Sequence, residues 1–282
     1  MTLKQSNRIK TFIKLVIVLL FSSFGLFPFI WLFLTSLKPY SILYKLPLKW
    51  FDKAMNFSNY LNMLKEVPVF RHLFITFIVG IFVAILAVTI STGAGYILSH
   101  FNFRGNFFLT LMLLISQMLP QIVIMVPLYF LLLQLGLVNN LVGLVVVYTG
   151  MAIPFSTLML RSYIETAYSK NLEDSARVDG CTYFQIYFHI TVPLCMPGIA
   201  AVALFAFMII YEEFMWANVL ITRNSIKTIQ SALYSFFGIY SSGTSGGIAS
   251  AAGFVVTIPT IILAFFLQRY LVTGLTAGAV KE

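Results

Sequence analysis

The sequence predicts an all-α membrane protein with six transmembrane helices. Of its 282 residues, 60% are hydrophobic and 10% are charged, whereas soluble domains carry about 25% charged residues. Its mean hydropathy is +0.93. Apolar stretches of about 20 residues, the length that crosses the hydrocarbon core as a helix, recur along the whole chain. We therefore expect most of the protein surface to face lipid or other apolar partners.

Six apolar stretches are long enough to be spans. They are residues 12–37, 72–99, 107–133, 140–160, 197–221 and 248–270. The third stretch contains both Pro120 and Pro127, which predict a helix that bends twice and frames a cavity. An outer loop at 38–71 includes a short predicted helix around residues 60–64, and residues 222–247 form a second outer loop.

Basic residues set the predicted orientation. An even number of spans places both termini on one side, and Lys and Arg favour the cytosolic side. With cytosolic termini, ten of the 18 basic residues lie inside and eight outside, and a basic cluster precedes the first span. We assign the net charge of +9 to the flanks of spans, where it meets membrane lipid headgroups. Nucleic acid is therefore not an expected partner.

The chain divides at residue 70 by its pattern of spans. Residues 1–70 hold the N-terminal tail, the first span and the first outer loop. Residues 71–282 hold a five-span core, with a cytosolic loop at about 165–193 and a cytosolic C-terminal tail at about 271–282. The sequence shows no soluble domain and no internal repeat.

The polar segment of residues 172–193 lies between the fourth and fifth spans. Glu173 and Asp174 suit the first turn of a helix, where carboxylates favour the positive end of the helix dipole. Gly180 suits a left-handed helix stop, and Thr182 suits the cap of a second short helix that Pro193 ends. The segment predicts a helix–turn–helix knob that projects from the bilayer and that another protein contacts.

The same segment contains a spaced motif. It reads Asp174-Ser175-Ala176, Gly180, Ile190 and Val192-Pro193. This motif resembles the EAA loop of bacterial ABC importer permeases, with Asp for Glu, Ser for Ala and Val for Leu. Residues 172–180 resemble the carbohydrate-uptake branch, where L-E-E-A-A-R-V-D-G is typical. The C-terminal residues 268–282 resemble the second permease of that branch, the maltose permease G type.

This resemblance implies a type I ABC importer permease fold in a bacterial inner membrane. In that family the loop is a cytosolic coupling helix that sits in a groove of a separate ATPase. Carried over by position, the expected ATPase contacts are Glu173, Asp174, Ser175, Ala176, Arg177, Asp179, Gly180, Phe184 and Pro193. The tail provides a second expected contact at Gly274, Ala277 and Gly278. The alternatives are a generic amphipathic loop and a disordered tail.

The chain itself is not expected to be an enzyme. It lacks any Gly-Lys pair and so cannot supply a G-x-x-x-x-G-K-[ST] phosphate-binding loop. Its three histidines show no metal-ligand spacing. No cofactor is expected on this chain. The family implies a homodimeric ATPase that holds ATP and Mg²⁺, a second homologous permease and an extracytoplasmic solute-binding protein.

The resemblance implies a carbohydrate substrate, with an oligosaccharide favoured. A candidate substrate path lies near the outer end of the fifth span, at Glu212, Glu213, Trp216 and Asn218. The alternative for these residues is a hydrated helix end at the membrane interface. Basic residues lie only at span ends, which favours a neutral sugar over glycerol-3-phosphate or another small polar solute. An ion-coupled secondary transporter is a more distant alternative, because such folds show internal repeats.

Overall fold

The computed structural model describes residues 3–66, 68–167, 170–239 and 246–279, and every regular element in those ranges is helical. The α-helices are α1 (Leu3–Ser36), α2 (Tyr40–Leu43), α3 (Ser58–Glu66), α4 (Val69–His100), α5 (Asn106–Met118), α6 (Gln121–Gln134), α7 (Leu141–Ala167), α8 (Lys170–Val178), α9 (Tyr183–Ile186), α10 (Val192–Glu212), α11 (Met215–Leu220), α12 (Ile229–Ile239) and α13 (Gly246–Ala279). A π-helical turn at Tyr187–Thr191 joins α9 to α10. The predicted all-α class is confirmed.

Five helical segments in the described ranges are long and apolar enough to cross a membrane. They are Thr11–Ser36, Val69–His100, Leu141–Ala167, Tyr183–Glu212 and Gly246–Phe266. The pair α5 and α6 passes the same test as a single span bent by 99°. Pro120 lies at that bend, where it removes a backbone donor and keeps the preceding residue out of the helical conformation.

Contacts divide the chain into two compact units. The first comprises Met1–Val69 with Leu233–Ile258, and the second comprises Phe70–Ala232 with Pro259–Glu282. In the first unit, Asn59 Nδ2 of α3 donates to the backbone carbonyls of Ser36 at 2.8 Å and Lys38 at 2.9 Å. These bonds tie α3 to the end of α1, and α3 confirms the short helix predicted around residues 60–64.

In the second unit, α5 and α6 together cross once beside α7. Arg161 Nη1, near the end of α7, donates to Thr110 Oγ1 of α5 at 2.7 Å. The turn between α6 and α7 lies at the other end, where Asn139 N donates to Leu220 O at 2.8 Å. The bent pair therefore connects the two ends of α7, and it accounts for the third predicted span. In this unit, the side of the bundle where α4 stops and α5 begins is called the knob end. The opposite side is called the far end.

Close contact between α7 and α10 depends on a small residue. A Cβ added to Gly198 of α10 would lie 2.5 Å from the ring of Tyr163 on α7. Small residues allow membrane helices to approach in this way. Nearer the far end, the two helices share a core with α4, α6 and α11 in which Tyr148, Ala217 and Leu220 are fully buried.

The predicted limits of the fifth span, residues 197 and 221, are both wrong. The helix begins earlier, at Tyr183, and runs through Pro193 instead of ending there. Pro193 directly follows the π turn at Tyr187–Thr191, where the regular i→i−4 hydrogen-bond ladder is already interrupted, so the continuous helix accommodates its missing N–H. At the other end, Glu213 is extended and its carboxylate accepts the Trp216 N–H at 2.8 Å. Glu213 thus ends one helix and caps the next one, α11.

The segment predicted as an outer loop at 222–247 also contains a helix, α12. Its first part is held against the far end. Asn139 Oδ1 accepts the Thr222 N–H at 2.7 Å, and Ile229 N donates to Thr76 Oγ1 at 2.8 Å. The Ser, Thr and Gly content of this segment indicated a loop, but tertiary contacts organise its first part.

Candidate functional site

Residues 170–186, which we call the knob, fold as the two helices α8 and α9 after the end of α7. Gly180 has φ of +86°. Its N–H donates to Arg177 O at 3.0 Å, and Cys181 N donates to Ala176 O at 3.0 Å. This is the Schellman pattern of helix termination, in which glycine adopts the left-handed conformation without a steric penalty. The predicted stop at Gly180 is confirmed.

The second helix of the knob starts with a capping box. Gln185 N donates to Thr182 Oγ1 at 3.3 Å, and Thr182 N donates to Gln185 Oε1 at 2.8 Å. Reciprocal bonds of this kind satisfy two backbone donors at a helix start. They confirm the predicted cap at Thr182. From there the helix continues through the π turn into α10, so α9 is continuous with the fifth span.

One face of α8 packs against the end of α4. Glu173 and Ala176 are buried. Glu173 Oε2 lies 3.3 Å from Nε2 of His100, and each of these two side chains is 7% exposed. Burial of polar groups is favourable only when they have partners. His100 is the last residue of α4, so this contact joins the knob to the second span.

Aromatic rings reinforce the same junction. The Tyr96 and Tyr187 ring centroids are 5.3 Å apart, and those of Phe101 and Tyr183 are 4.9 Å apart. Both distances fall in the range of favourable aromatic pairs. The guanidinium of Arg177 lies over the Tyr183 ring at 4.8 Å, a cation–π arrangement. The knob therefore contacts α4 through Glu173 and the residue after α4 through Tyr183, and Tyr96 of α4 packs on the π turn that follows the knob.

The other face of the knob is exposed. It carries Asp174, Ser175, Arg177, Val178, Asp179, Gly180 and Phe184. The side chains of Val178 and Phe184 are 88% and 72% exposed. Apolar side chains clustered on an exposed surface mark sites of contact with another protein or with lipid. Interspersed carboxylates and an arginine make this surface more typical of a protein interface than of a lipid-facing one.

The chain matches the family model described as "Binding-protein-dependent transport system inner membrane component" over residues 87–276. The chain belongs to this family. The permease is 32% identical over 257 residues to the "Sulfoquinovosyl glycerol transport system permease protein SmoH" of Agrobacterium fabrum, with 91% of this chain and 89% of that protein covered. It is 29% identical over 275 residues to the "Trehalose/maltose transport system permease protein MalG" of Thermococcus litoralis, with coverage of 97% and 98%.

A solved structure shares the fold of the permease. The structure is described as "Crystal structure of a bacterial ABC transporter involved in the import of the acidic polysaccharide alginate". It matches with a TM-score of 0.76 and 22% identity, and the match covers 94% of the permease and 97% of that chain. Together with the family match, this confirms the predicted type I ABC importer permease fold. The permease is a multi-pass inner-membrane protein and a subunit of a transport system.

The predicted substrate-path residues do not form one group. Glu213 binds the backbone of α11 and accepts a hydrogen bond from Tyr148 Oη on α7. Glu212 is exposed, and Asn218 Oδ1 accepts from Ser231 Oγ at 3.4 Å. Trp216 is buried and lines a cavity beside the α5–α6 bend. Glu213 therefore has a structural role in the bundle, and only Trp216 of the four lines that cavity.

The predicted tail contacts lie on the last helix. Gly274, Ala277 and Gly278 fall within α13, and their surroundings lie outside what the structure describes. Pro193 is exposed at the start of α10, beyond the knob. These positions stay predictions.

Two residues of the knob region were not singled out from the sequence. Val178 lies one turn after Asp174, so helical spacing places both on one exposed face. His100 is 73 positions away from Glu173, and no sequence pattern links them. Helical periodicity could have identified Val178 from the sequence. The role of His100 became visible only in the folded structure.

The role of Glu213 can be tested against its neighbour. We expect Glu213→Ala to lower the melting temperature of the detergent-solubilised permease by several degrees, because it removes a helix cap of about 1 kcal/mol and a partner of the buried Tyr148 hydroxyl, about 1–3 kcal/mol. Glu212→Ala, at an exposed position, should leave the melting temperature unchanged. Equal shifts in the two variants would contradict the capping role.

Proposed function

We propose that this permease is one half of an ATP-driven sugar importer and that its knob docks on a separate ATPase. This proposal rests on the exposed face of the knob. Val178, at the end of α8, and Phe184, in α9, expose apolar surface on the same knob as the exposed Asp174 and Arg177. Interface anchors of this kind account for most of the binding energy in protein complexes.

The partners follow from what the chain lacks and from its family. Its sequence has no phosphate-binding loop, so ATP and Mg²⁺ are held by the ATPase, which we propose is a homodimer. The family description names a binding protein, and an extracytoplasmic solute-binding protein would deliver the substrate. A second homologous permease would complete the path. Under this proposal the knob end and both termini are cytosolic.

The structure suggests how motion of the ATPase would reach the spans. A ligand shifts a conformational equilibrium only through contacts that differ between the two states. The knob is continuous with α10, follows the end of α7, and contacts α4 through Glu173 and His100. Displacement of the knob would therefore move three spans together, as a rigid-body change. We assign Glu173 and Ala176 a positioning role, because both are buried, and assign ATPase contact to the exposed residues.

The substrate is proposed to be a neutral sugar. Of the relatives named above, the trehalose/maltose permease supports this choice, whereas sulfoquinovosyl glycerol carries a sulfonate and does not. Basic residues of this chain lie at the ends of the predicted spans, and an anionic solute would favour cationic groups along the path. Glycerol-3-phosphate is the main alternative.

Uptake by the reconstituted complex tests this function. The permease would be purified with the second permease, the ATPase and the binding protein encoded beside it, and placed in liposomes. We expect uptake of maltose or trehalose that requires ATP and resists a proton ionophore. Uptake driven by a proton gradient without ATP would establish a secondary transporter instead. Uptake of glycerol-3-phosphate or sulfoquinovosyl glycerol alone would contradict the neutral-sugar assignment.

Docking on the knob can be tested with a matched pair of phenylalanines. We expect Phe184→Ala to weaken retention of the ATPase about tenfold, since an interface anchor contributes more than about 1 kcal/mol. Phe103, 40% exposed in the turn between α4 and α5, gives the control Phe103→Ala at the same end of the permease. Retention is measured by ATPase titration of permease in nanodiscs. Loss of retention in both variants, or in neither, would argue against docking through the knob.

A further inference from the structure

A cavity of about 640 Å³ lies beside the bend between α5 and α6, away from the knob. Its walls come from the bend, from the middle of α7 and from the last turns of α10. Most of the lining is apolar, but several polar residues face it: Ser116, Gln117, Gln121, Ser156 and Trp216. None of the described residues that line it is ionisable. Ligand cavities of about 300–1,000 Å³ with a few polar groups are typical of small-molecule sites.

The position of Gln117 and Gln121 along the spans indicates what the bend contacts. Gln117 and Gln121 flank Pro120, and both are exposed in the chain. The same cavity is lined by Gly150 and Ser156, which lie in the middle of the 27-residue helix α7. Non-helical backbone and unpaired amides at that depth are tolerated only in a protein interior or a water-filled cavity. The bend therefore faces water, protein or a polar ligand in the assembled transporter.

Trp216 provides a second, independent observation. Its side chain is 2% exposed and lines the cavity, and its Nε1 has no hydrogen-bond acceptor among the described residues. Native proteins rarely leave a buried donor unsatisfied. Phe155 and Phe205 also line the cavity, with stacked rings 4.7 Å apart. Two amides and an aromatic surface thus line one cavity, and the Trp216 side chain that borders it carries a buried donor without a partner among the described residues.

We propose that this cavity is a subsite for an uncharged sugar unit on its way through the permease. The amides of Gln117 and Gln121 would bind sugar hydroxyls, and the Trp216 side chain would form part of the wall. The rings of Phe155 and Phe205 would cover the apolar CH face of the sugar. The proposal rests on the proposed function and adds to it the substrate chemistry and the residues of this chain that meet it.

Other occupants fit the polar lining less well. A lipid acyl chain or an apolar helix of the second permease would fill the volume but leave the amides of Gln117 and Gln121 without partners, which is costly in a dry site. A phosphate ester or a sulfonate, both anionic, would find no cationic side chain among the described residues that line the cavity. A neutral polyhydroxylated ligand satisfies the amides without adding a charge.

Thiol accessibility distinguishes these occupants. Ile124 lines the cavity, whereas Ile122 on the same helix is 65% exposed and does not line it. Each would be changed to Cys in a Cys181→Ser background, since Cys195 is buried. The assembled transporter in liposomes is treated with the cationic reagent MTSET, with and without ATP and vanadate. We expect Ile124→Cys to react at least tenfold faster than Ile122→Cys in one of the two states.

Protection of Ile124→Cys from MTSET by sugar is the decisive measurement. Saturating maltose or trehalose, presented by the binding protein, should slow the reaction of Ile124→Cys at least fivefold, and glycerol-3-phosphate should not. Equal, slow labelling of both positions in both states would indicate lipid or a partner helix and overturn the subsite. Rapid labelling that neither sugar slows would also overturn it.

Uptake kinetics test the glutamines themselves. We expect Gln117→Leu and Gln121→Leu each to raise the KM for the transported sugar about fivefold to tenfold, the effect of one unmade hydrogen bond. Gln121→Asn, which keeps an amide, should give a smaller increase. Gln134→Leu, at the other end of α6 and outside the cavity, is the matched control. Wild-type KM in both leucine variants would refute the subsite, whereas absence of ATP-driven sugar uptake by the wild type would refute the proposed function instead.

Discussion

Replacing Gly180 with proline is expected to abolish ATP-driven uptake while the permease stays in the membrane. Gly180 has φ of +86° and its N–H closes the end of α8. Proline fixes φ near −65° and has no N–H, so it cannot occupy this position in the observed turn. The knob would lose the fixed angle between α8 and α9, and its exposed face would no longer match the ATPase. The spans themselves do not depend on this turn.

The measurements are uptake in proteoliposomes, permease abundance in membranes and ATP hydrolysis by the complex. Gly180→Ala is the graded control, because a left-handed conformation costs a non-glycine residue about 1–2 kcal/mol but leaves the backbone bonds intact. A Cβ at Gly180 meets no atom within 4 Å, so steric conflict adds nothing. We expect Gly180→Ala to transport at a reduced rate. Wild-type uptake in Gly180→Pro would disprove the coupling role.

Changing His100 to leucine is expected to lower uptake at least tenfold with normal permease abundance. Glu173 would keep its carboxylate in a site where its side chain is 7% exposed, and its Oε2, which lies 3.3 Å from His100 Nε2, makes no hydrogen bond to the described residues. A buried polar group that loses its partner costs about 1–3 kcal/mol, and more when it is charged. The cost would be relieved by tilting α8 outward to hydrate Glu173, which separates the knob from α4.

The double variant His100→Leu/Glu173→Leu tests this explanation. Replacing both members of a buried polar pair by apolar residues is often nearly neutral, so we expect the double variant to recover most of the lost uptake. His100→Gln, which retains a side-chain N–H, should be intermediate. Glu165→Ala breaks an exposed ion pair with Arg161 at the same end and should have little effect. If His100→Leu alone transports normally, the positioning role of this contact is wrong.

Local signals predicted much of the fold and part of the site. Apolar stretches predicted the spans because a helix must be about 20 residues long to cross the membrane. Gly180 and Thr182 indicated the turn of the knob because their conformational and capping preferences are local. Pro120 likewise indicated a bend in the third span. In each case the determining interaction lies within a few residues along the chain.

Features that depend on distant contacts escaped prediction. The helix ends before Glu213 because that carboxylate binds the next helix and Tyr148, and nothing in the local sequence excludes a continuous helix there. The contact of His100 with Glu173 joins residues far apart in sequence. The cavity polar groups come from α5, α6, α7 and α11, so only the packed bundle brings them together.

The π turn at Tyr187–Thr191 contains one residue more than a regular α-helix needs to cover the same length. A single wide turn of this type accommodates one extra residue inside an otherwise regular α-helix. Deleting one residue from it would restore a uniform helix and preserve the rotational phase of the knob. The same deletion within α10 would rotate the knob by about 100°, the advance of one residue at 3.6 residues per turn. Related permeases should therefore tolerate the insertion or deletion of one residue in this turn. The same change should not be tolerated within α10.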